Sequence, residues 1–248
     1  MTEAETPAGE ILYVLIPCLD EEDNVARAAS EILGHAGEIP IPLRVVLIDD
    51  GSRDGTLAAM ERIAAADERC SVRRNDGNVG LGRSVLEMLE ELPGEAWVTV
   101  FPGDHEFLFS SIRNFLAVRN DFDLMLGYLH NPVVRTFGRR LASYAFTKFV
   151  STLYGFPWRY LNGMKLYRAL VFQGLEVVSS GHAFMAEAIA KAQLRRPELR
   201  IGEVPFFSRG RGRGRSKAIR PIAVVRAIFE VLRGSRSVTR YRKLVVGR

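Results

Sequence analysis

The sequence predicts an α/β fold: a mostly parallel sheet with helices on both faces. Three observations lead there. Short apolar runs of strand length recur through the first hundred residues. Each is followed by a polar loop and then by a helical pattern, the signature of right-handed crossovers between parallel strands. The unusual polar clusters all fall in the loops that follow strands, where open parallel sheets bind their ligands.

Residues 11–16 (ILYVLI), stopped by Pro17, read as a buried parallel strand. The acidic stretch LDEEDN follows, then a helix over 25–33, with Asp20 or Asp23 as its expected cap. Residues 43–48 (LRVVLI) form the second strand and run into DDGSRDGT, followed by a helix over 58–66. A weaker strand at 71–74 leads through NDGNVGLG to a helix over 84–92, and 96–101 (AWVTVF) is a fourth strand ending in PGDHE. Beyond it the pattern predicts a strand at 123–127, a helix over 137–153, a strand entering a helix at 161–170, a helix over 182–194 and a last strand at 199–205. The expected organisation is a disordered leader (1–10), one domain (11–217) and a basic amphipathic tail (218–248).

A chain of 248 residues buries a full core without cross-links. Cys18 and Cys70 provide neither a disulfide framework nor a metal pair. The polar, acidic start is not a targeting peptide, and no apolar run reaches the roughly 18 residues of a membrane span, so a cytoplasmic protein is expected. The formal net charge of +5 is concentrated after Arg195, which points to an anionic partner.

Asp49 and Asp50 end a strand, where a carboxylate accepts hydrogen bonds from ribose hydroxyls or a base N–H; the same residues also suit a turn and a helix start. Asp104 and Glu106, two apart in an extended segment, point the same way and suit one Mg²⁺ or Mn²⁺, or else form a solvated acidic turn. Alternation turns His105 away from them. Glu21 reads as a base- or ribose-orienting group or as an acidic helix start. Gly80 and Gly82 allow close backbone approach or tight packing. The run RGRGRGR at 209–215 reads as an RNA-binding tract or as a loop closing over phosphates, and its position after the last strand favours phosphates over nucleic acid. The tail, IAVVRAIFEVL followed by RGSRSVTRYRK, suits either an anionic membrane surface or a packed helix with a solvated basic face.

Taken in order, IPCLDEEDNV, LIDDGSRDGT, GNVGLGRSV, FPGDHEF, NGMKLYR and EVPFFSRGRGRGRSK resemble the motifs of family 2 glycosyltransferases of the GT-A fold, in particular dolichyl- and polyprenyl-phosphate mannose or glucose synthases. The resemblance runs from about Ile11 to Lys217. It implies a three-layer α/β/α nucleotide-binding fold and an inverting, metal-assisted transfer from a nucleotide-sugar donor. A polyprenyl- or dolichyl-phosphate-type lipid would be the acceptor; the alternatives are a transferase with a soluble acceptor and a degenerate, non-catalytic nucleotide-sugar-binding protein. By motif position, Pro17, Leu19, Glu21, Leu47 and Asp49 would contact the base and ribose region, and Gly103 and Asp104 would lie near the diphosphate. Asp104 and Glu106 would hold the cation, and Arg211 and Lys217 would bind phosphate groups; Asp104, Arg211 and Lys217 are the implied catalytic set. Glu187 sits where the family has an acid on the helix before the last strand. Three departures stand out. Pro102 replaces the first aspartate of the metal motif. GYLHNP lacks the family's arginine after the fifth strand, leaving Arg135, Arg139 and Arg140 as candidate substitutes. Arg159 stands where an aspartate is usual.

Overall fold

The computed structural model describes residues 10–102, 107–132, 137–181, 183–209 and 221–246. The apolar runs become strands β1 (Leu12–Cys18) and β2 (Leu43–Asp49), paired in parallel from Leu12 opposite Leu43 to Cys18 opposite Asp49. Helices α1 (Val25–Gly34), α2 (Thr56–Ala66) and α3 (Leu81–Glu90) alternate with β3 (Cys70–Arg74) and β4 (Trp97–Val100), all parallel to β1. Asn24, not an aspartate, occupies the N-cap position of α1, and Asp20 takes the left-handed conformation, with φ of 55°.

The second half departs from simple alternation. A six-residue helix that the pattern missed, α4 (Ile112–Ala117), precedes β5 (Leu124–Leu129). After α5 (Phe137–Tyr154), β6 (Lys165–Arg168) inserts antiparallel between β4 and β5; α6 (Phe184–Arg195) then leads to β7 (Ile201–Phe206), parallel to β5. Strand order is β3-β2-β1-β4-β6-β5-β7. The carboxyl ends of β1, β2, β4, β5 and β7 therefore share one edge of the sheet, and the amino end of antiparallel β6 joins them there.

Strand alternation splits the core in two. Val14, Ile16 and Leu47 face α1, α2 and α4; Leu15, Val46 and Ile48 belong to the core layer that includes α3, α5 and α6. These are the two helical layers of a three-layer α/β/α molecule. The last helix, α7 (Pro221–Val246), docks on α6 through buried Val231 and Val238. Gly234 makes the close approach possible: a Cβ there would come 2.5 Å from the Tyr154 hydroxyl and 2.7 Å from Ser179 Oγ. The exposed side of α7 carries Arg226, Arg233, Arg236 and Arg240 with Val225 and Phe229. Among the described residues no helix is long and apolar enough to cross a membrane.

Glu10, assigned from sequence to the disordered leader, belongs to the folded part. Its buried carboxylate accepts hydrogen bonds from Trp97 Nε1 (3.2 Å), Arg119 Nε (3.2 Å) and an Arg168 terminal nitrogen (2.9 Å). Burial alone would raise its pKa, but the tryptophan and the two guanidiniums outweigh that and hold it below the ordinary 4.5.

Candidate functional site

The loops after β1 and β2 are sewn together by acid-to-backbone hydrogen bonds. Asp20 Oδ1 accepts from Arg53 N (2.9 Å) and Glu22 Oε2 from Gly55 N (2.7 Å), while Glu21 N donates to Thr56 Oγ1 (2.8 Å). Asp54 accepts from the Thr56 backbone and hydroxyl, which hold its carboxyl below the usual range. Several of the acids in IPCLDEED and DDGSRDGT thus build the rim. Glu21 Oε2 accepts from Asn24 Nδ2 at 2.8 Å, so its side chain is also tied into this loop.

The paired aspartates divide their work because successive residues at the end of β2 point to opposite faces. Asp50 turns toward α3. Its Oδ1 accepts from Asn75 Nδ2 (3.0 Å), Val79 N (2.9 Å) and Ser84 Oγ (3.0 Å), and its Oδ2 from Gly80 N (3.0 Å). It fixes the path of the glycine-rich loop. Gly80 has φ of 89°, and Gly82 packs so close to Phe184 that a Cβ would lie 2.6 Å from that side chain, so both glycines serve geometry. Asp50→Ala would orphan several buried donors at once and is expected to cost about 3 kcal/mol in urea unfolding.

Asp49 turns the other way and is 0% exposed. Its Oδ1 accepts from Ser52 N (3.0 Å), but among the described residues its Oδ2 has no hydrogen-bond partner, and the cationic group near it is Arg74 Nε at 3.9 Å, on a mostly exposed side chain. Beside it, burial and then the charges of Glu21, Asp49 and Asp54 push the Cys18 thiol up to about 12. A buried, unpartnered carboxylate oxygen at a strand's carboxyl end is an acceptor held ready for a donor group. Of the other expected donor contacts, Pro17 lies half-buried at the end of β1 and Leu19 is exposed in the loop beyond it. Leu47 does not join them: its side chain is fully buried in the apolar layer beneath.

Gly103, Asp104, Glu106, Arg211 and Lys217 lie outside the described residues, but Phe107 after the first of these segments and Ser208 and Arg209 before the second are anchored. Phe107 bridges Ser208; Asn131 donates to Ser208 O (2.8 Å) and accepts from Ser208 N (3.0 Å). Arg209, first of the arginine–glycine run, makes a two-pronged contact with Glu31 of α1 at 2.7 and 2.9 Å. The acidic segment after β4 and the basic segment after β7 therefore border one hydrogen-bonded clamp. Among the described residues no group of three His, Cys, Asp or Glu side chains could hold a metal ion.

Glu187 is not free for chemistry. Both its oxygens are used: Oε1 by Val178 N (3.1 Å) and Lys191 Nζ (2.8 Å), Oε2 by Ser179 N (3.0 Å) and Oγ (2.7 Å). Lys191 goes on to Glu176 O and to Ser237 of α7. The spacing of Glu187 and Lys191, i and i+4 on one helix, was the sequence signal for this pair.

The sequence matches the family described as glycosyl transferase family 2 over residues 13–189. The chain belongs to glycosyl transferase family 2. It is similar to the dodecaprenyl-phosphate galacturonate synthase of Rhizobium johnstonii, 23% identical over 220 residues, which cover 83% of this chain and 61% of that relative. The chain thus spans about three fifths of that relative's length. Among solved structures it is similar to the glucosyl-3-phosphoglycerate synthase of Mycobacterium tuberculosis in complex with UDP, with a TM-score of 0.66, 17% identity, and coverage of 92% of this chain and 81% of that one. The complex of the same enzyme with Mn²⁺, UDP and phosphoglyceric acid has a TM-score of 0.60 at 15% identity, covering 97% and 80%. At such identities the likeness is one of fold, and the fold is the GT-A type.

Proposed function

We propose that this family 2 member transfers a sugar, with inversion, from a nucleotide diphosphate sugar to the phosphate of a polyprenyl- or dolichyl-phosphate-type acceptor, assisted by a divalent cation. The observation that carries the donor site is the buried, unpartnered Asp49 Oδ2 where the β1 and β2 loops meet. In this reading Asp49 takes a ribose hydroxyl or base N–H, drawing it in beside Arg74, while Pro17, Leu19 and Glu21 border the base and ribose. Gly103 and Asp104 lie against the diphosphate. The lipid-phosphate acceptor is supported by the Rhizobium johnstonii relative, whose name states a dodecaprenyl-phosphate product.

The cation fits by the chemistry of its donors and by their place in the chain. Asp104 and Glu106 are oxygen ligands, suited to Mg²⁺ or Mn²⁺, and they follow β4, the middle strand of the order, which separates the donor loops from the β5–β7 half. The bound cation supplies charge neutralisation for the leaving nucleoside diphosphate. An oxygen of the acceptor phosphate attacks the anomeric carbon from the face opposite the diphosphate. The new carbon–oxygen bond forms as the bond to the diphosphate oxygen breaks. The nucleophile is already anionic, so no general base is required, and Arg211 and Lys217 hold and neutralise the phosphates. The basic tail then favours peripheral contact with an anionic membrane, at its cytoplasmic face, where such an acceptor resides.

The test is a thermal-shift panel of UDP-, GDP- and dTDP-sugars with and without Mn²⁺ or Mg²⁺. One donor is expected to raise the midpoint by several degrees, only with metal. No shift with any donor would overturn the reading. A metal-dependent shift without turnover on any acceptor would instead mark a binding protein, the alternative that Pro102 favours.

A further inference from the structure

Outside the donor loops, the same sheet edge carries a cleft of about 470 Å³ between the end of β5, the amino-terminal half of α5 and the turn before β6. Its walls include Tyr128, Phe137, Leu141 and Tyr144, and two guanidiniums, Arg140 and Arg159; no carboxylate is among the described residues that line it. Phe137, Leu141 and Tyr144 follow one another at i, i+4 and i+7, so they form one stripe along α5. They are 76%, 57% and 68% exposed. A run of large apolar side chains left in water beside a concave surface marks a binding face.

The cation at the mouth is positioned in advance. Arg159 N donates to Glu203 Oε1 at 2.8 Å, its Nε lies 3.6 Å from Glu203 Oε2, and its guanidinium carbon sits 5.5 Å from the centre of the Tyr128 ring. Its side chain nevertheless remains 74% exposed. Glu203 and Tyr128, on adjacent strands β7 and β5, thus aim an accessible guanidinium into a site with apolar walls.

We propose that this cleft binds a phosphate monoester carrying an apolar chain: Arg159 and Arg140 take the phosphate, and the Phe137–Leu141–Tyr144 stripe takes the first carbons of the chain. The assignment rests on the acceptor class proposed above and adds its location and its recognition residues.

The phosphate could belong to a lipid or to a small soluble acid, and the test separates them. Binding of farnesyl phosphate, farnesol and 3-phosphoglycerate is measured calorimetrically on the whole chain without donor, for wild type, Arg159→Gln and Leu141→Ser. Both substitutions fall at exposed positions, and circular dichroism checks folding. Farnesyl phosphate is expected to bind at least tenfold more tightly than either farnesol or 3-phosphoglycerate. Arg159→Gln and Leu141→Ser are each expected to weaken it about tenfold. Equal binding of 3-phosphoglycerate, with no effect of Leu141→Ser, would overturn the apolar half; unchanged farnesyl phosphate affinity in both variants would overturn the whole. Loss of binding to phosphatidylglycerol vesicles in Leu141→Ser, with farnesyl phosphate affinity intact, would assign the stripe to the bilayer and also overturn it. The donor panel runs independently. Donor binding without farnesyl phosphate binding refutes the cleft and leaves the donor site standing, and the reverse result refutes the donor site alone.

Discussion

Asp104→Ala is expected to lower sugar transfer by at least about 10³-fold while leaving the unfolding midpoint of the ligand-free chain unchanged. The reasoning is electrostatic. Departure of a nucleoside diphosphate concentrates negative charge on the leaving oxygens, and preorganised positive charge there is usually the largest single contribution to the rate. With proline at position 102, Asp104 and Glu106 are the only carboxylates of this segment, so removing one halves the protein's hold on the cation. The loss falls on kcat more than on KM if the cation acts mainly in the transition state, and the metal-dependent thermal shift disappears with it. Asp104→Ala retaining turnover within tenfold would rule out the metal assignment, whatever the donor panel shows.

Glu187→Ala is expected to be the most destabilising single change, costing about 3–5 kcal/mol in urea unfolding, because it leaves the Lys191 ammonium buried without its counter-charge. It also frees Val178 N, Ser179 N and Ser179 Oγ, and so loosens the segment that α7 packs against. The pH dependence follows the same groups. Burial raises the Glu187 pKa, but the hydrogen bonds from Lys191, Ser179 and Val178 and the charge of Lys191 outweigh it and bring the folded value below 4.5. Glu10 behaves likewise. A carboxylate with a depressed folded pKa binds protons more readily when unfolded. Its contribution is therefore complete above about pH 4.5 and is lost as pH falls through the lower folded values. Urea midpoints between pH 7 and pH 3 should fall in that acidic range, less steeply in Glu187→Ala. A midpoint insensitive to acid would contradict the ion-pair account.

Strands β1, β2 and β4 could be read directly because a strand buried on both faces needs a continuous apolar run, and such runs, bounded by turn residues, are local; β3, an edge strand with Ser71 and Arg74 exposed, carries the weaker pattern. The antiparallel placement of β6 was not legible. Its four residues carry no direction in their pattern, and direction is set only by pairing with β4 and β5. The different roles of Asp49 and Asp50 were half-legible. Alternation along β2 puts Asp49 on the face of Leu47 and Asp50 on that of Ile48, but that one face offers four partners and the other leaves an oxygen unpartnered is a fact of packing. The same alternation sends Leu47 into the core.

By itself the sequence determined the α/β class, the order of the loops that could carry chemistry and, through its ordered motifs, the transferase family. These are local quantities: apolar runs, turn residues, and charges at fixed spacing. The tertiary structure alone decided which acids are scaffold and which keeps an oxygen without a partner among the described residues, that Glu187 braces α7, and that Tyr128, Leu141 and Arg159 line one cleft. Those residues are distant in the chain, and only the insertion of β6 beside β5, with α5 folded over their ends, brings an arginine and an apolar helix face to the same place.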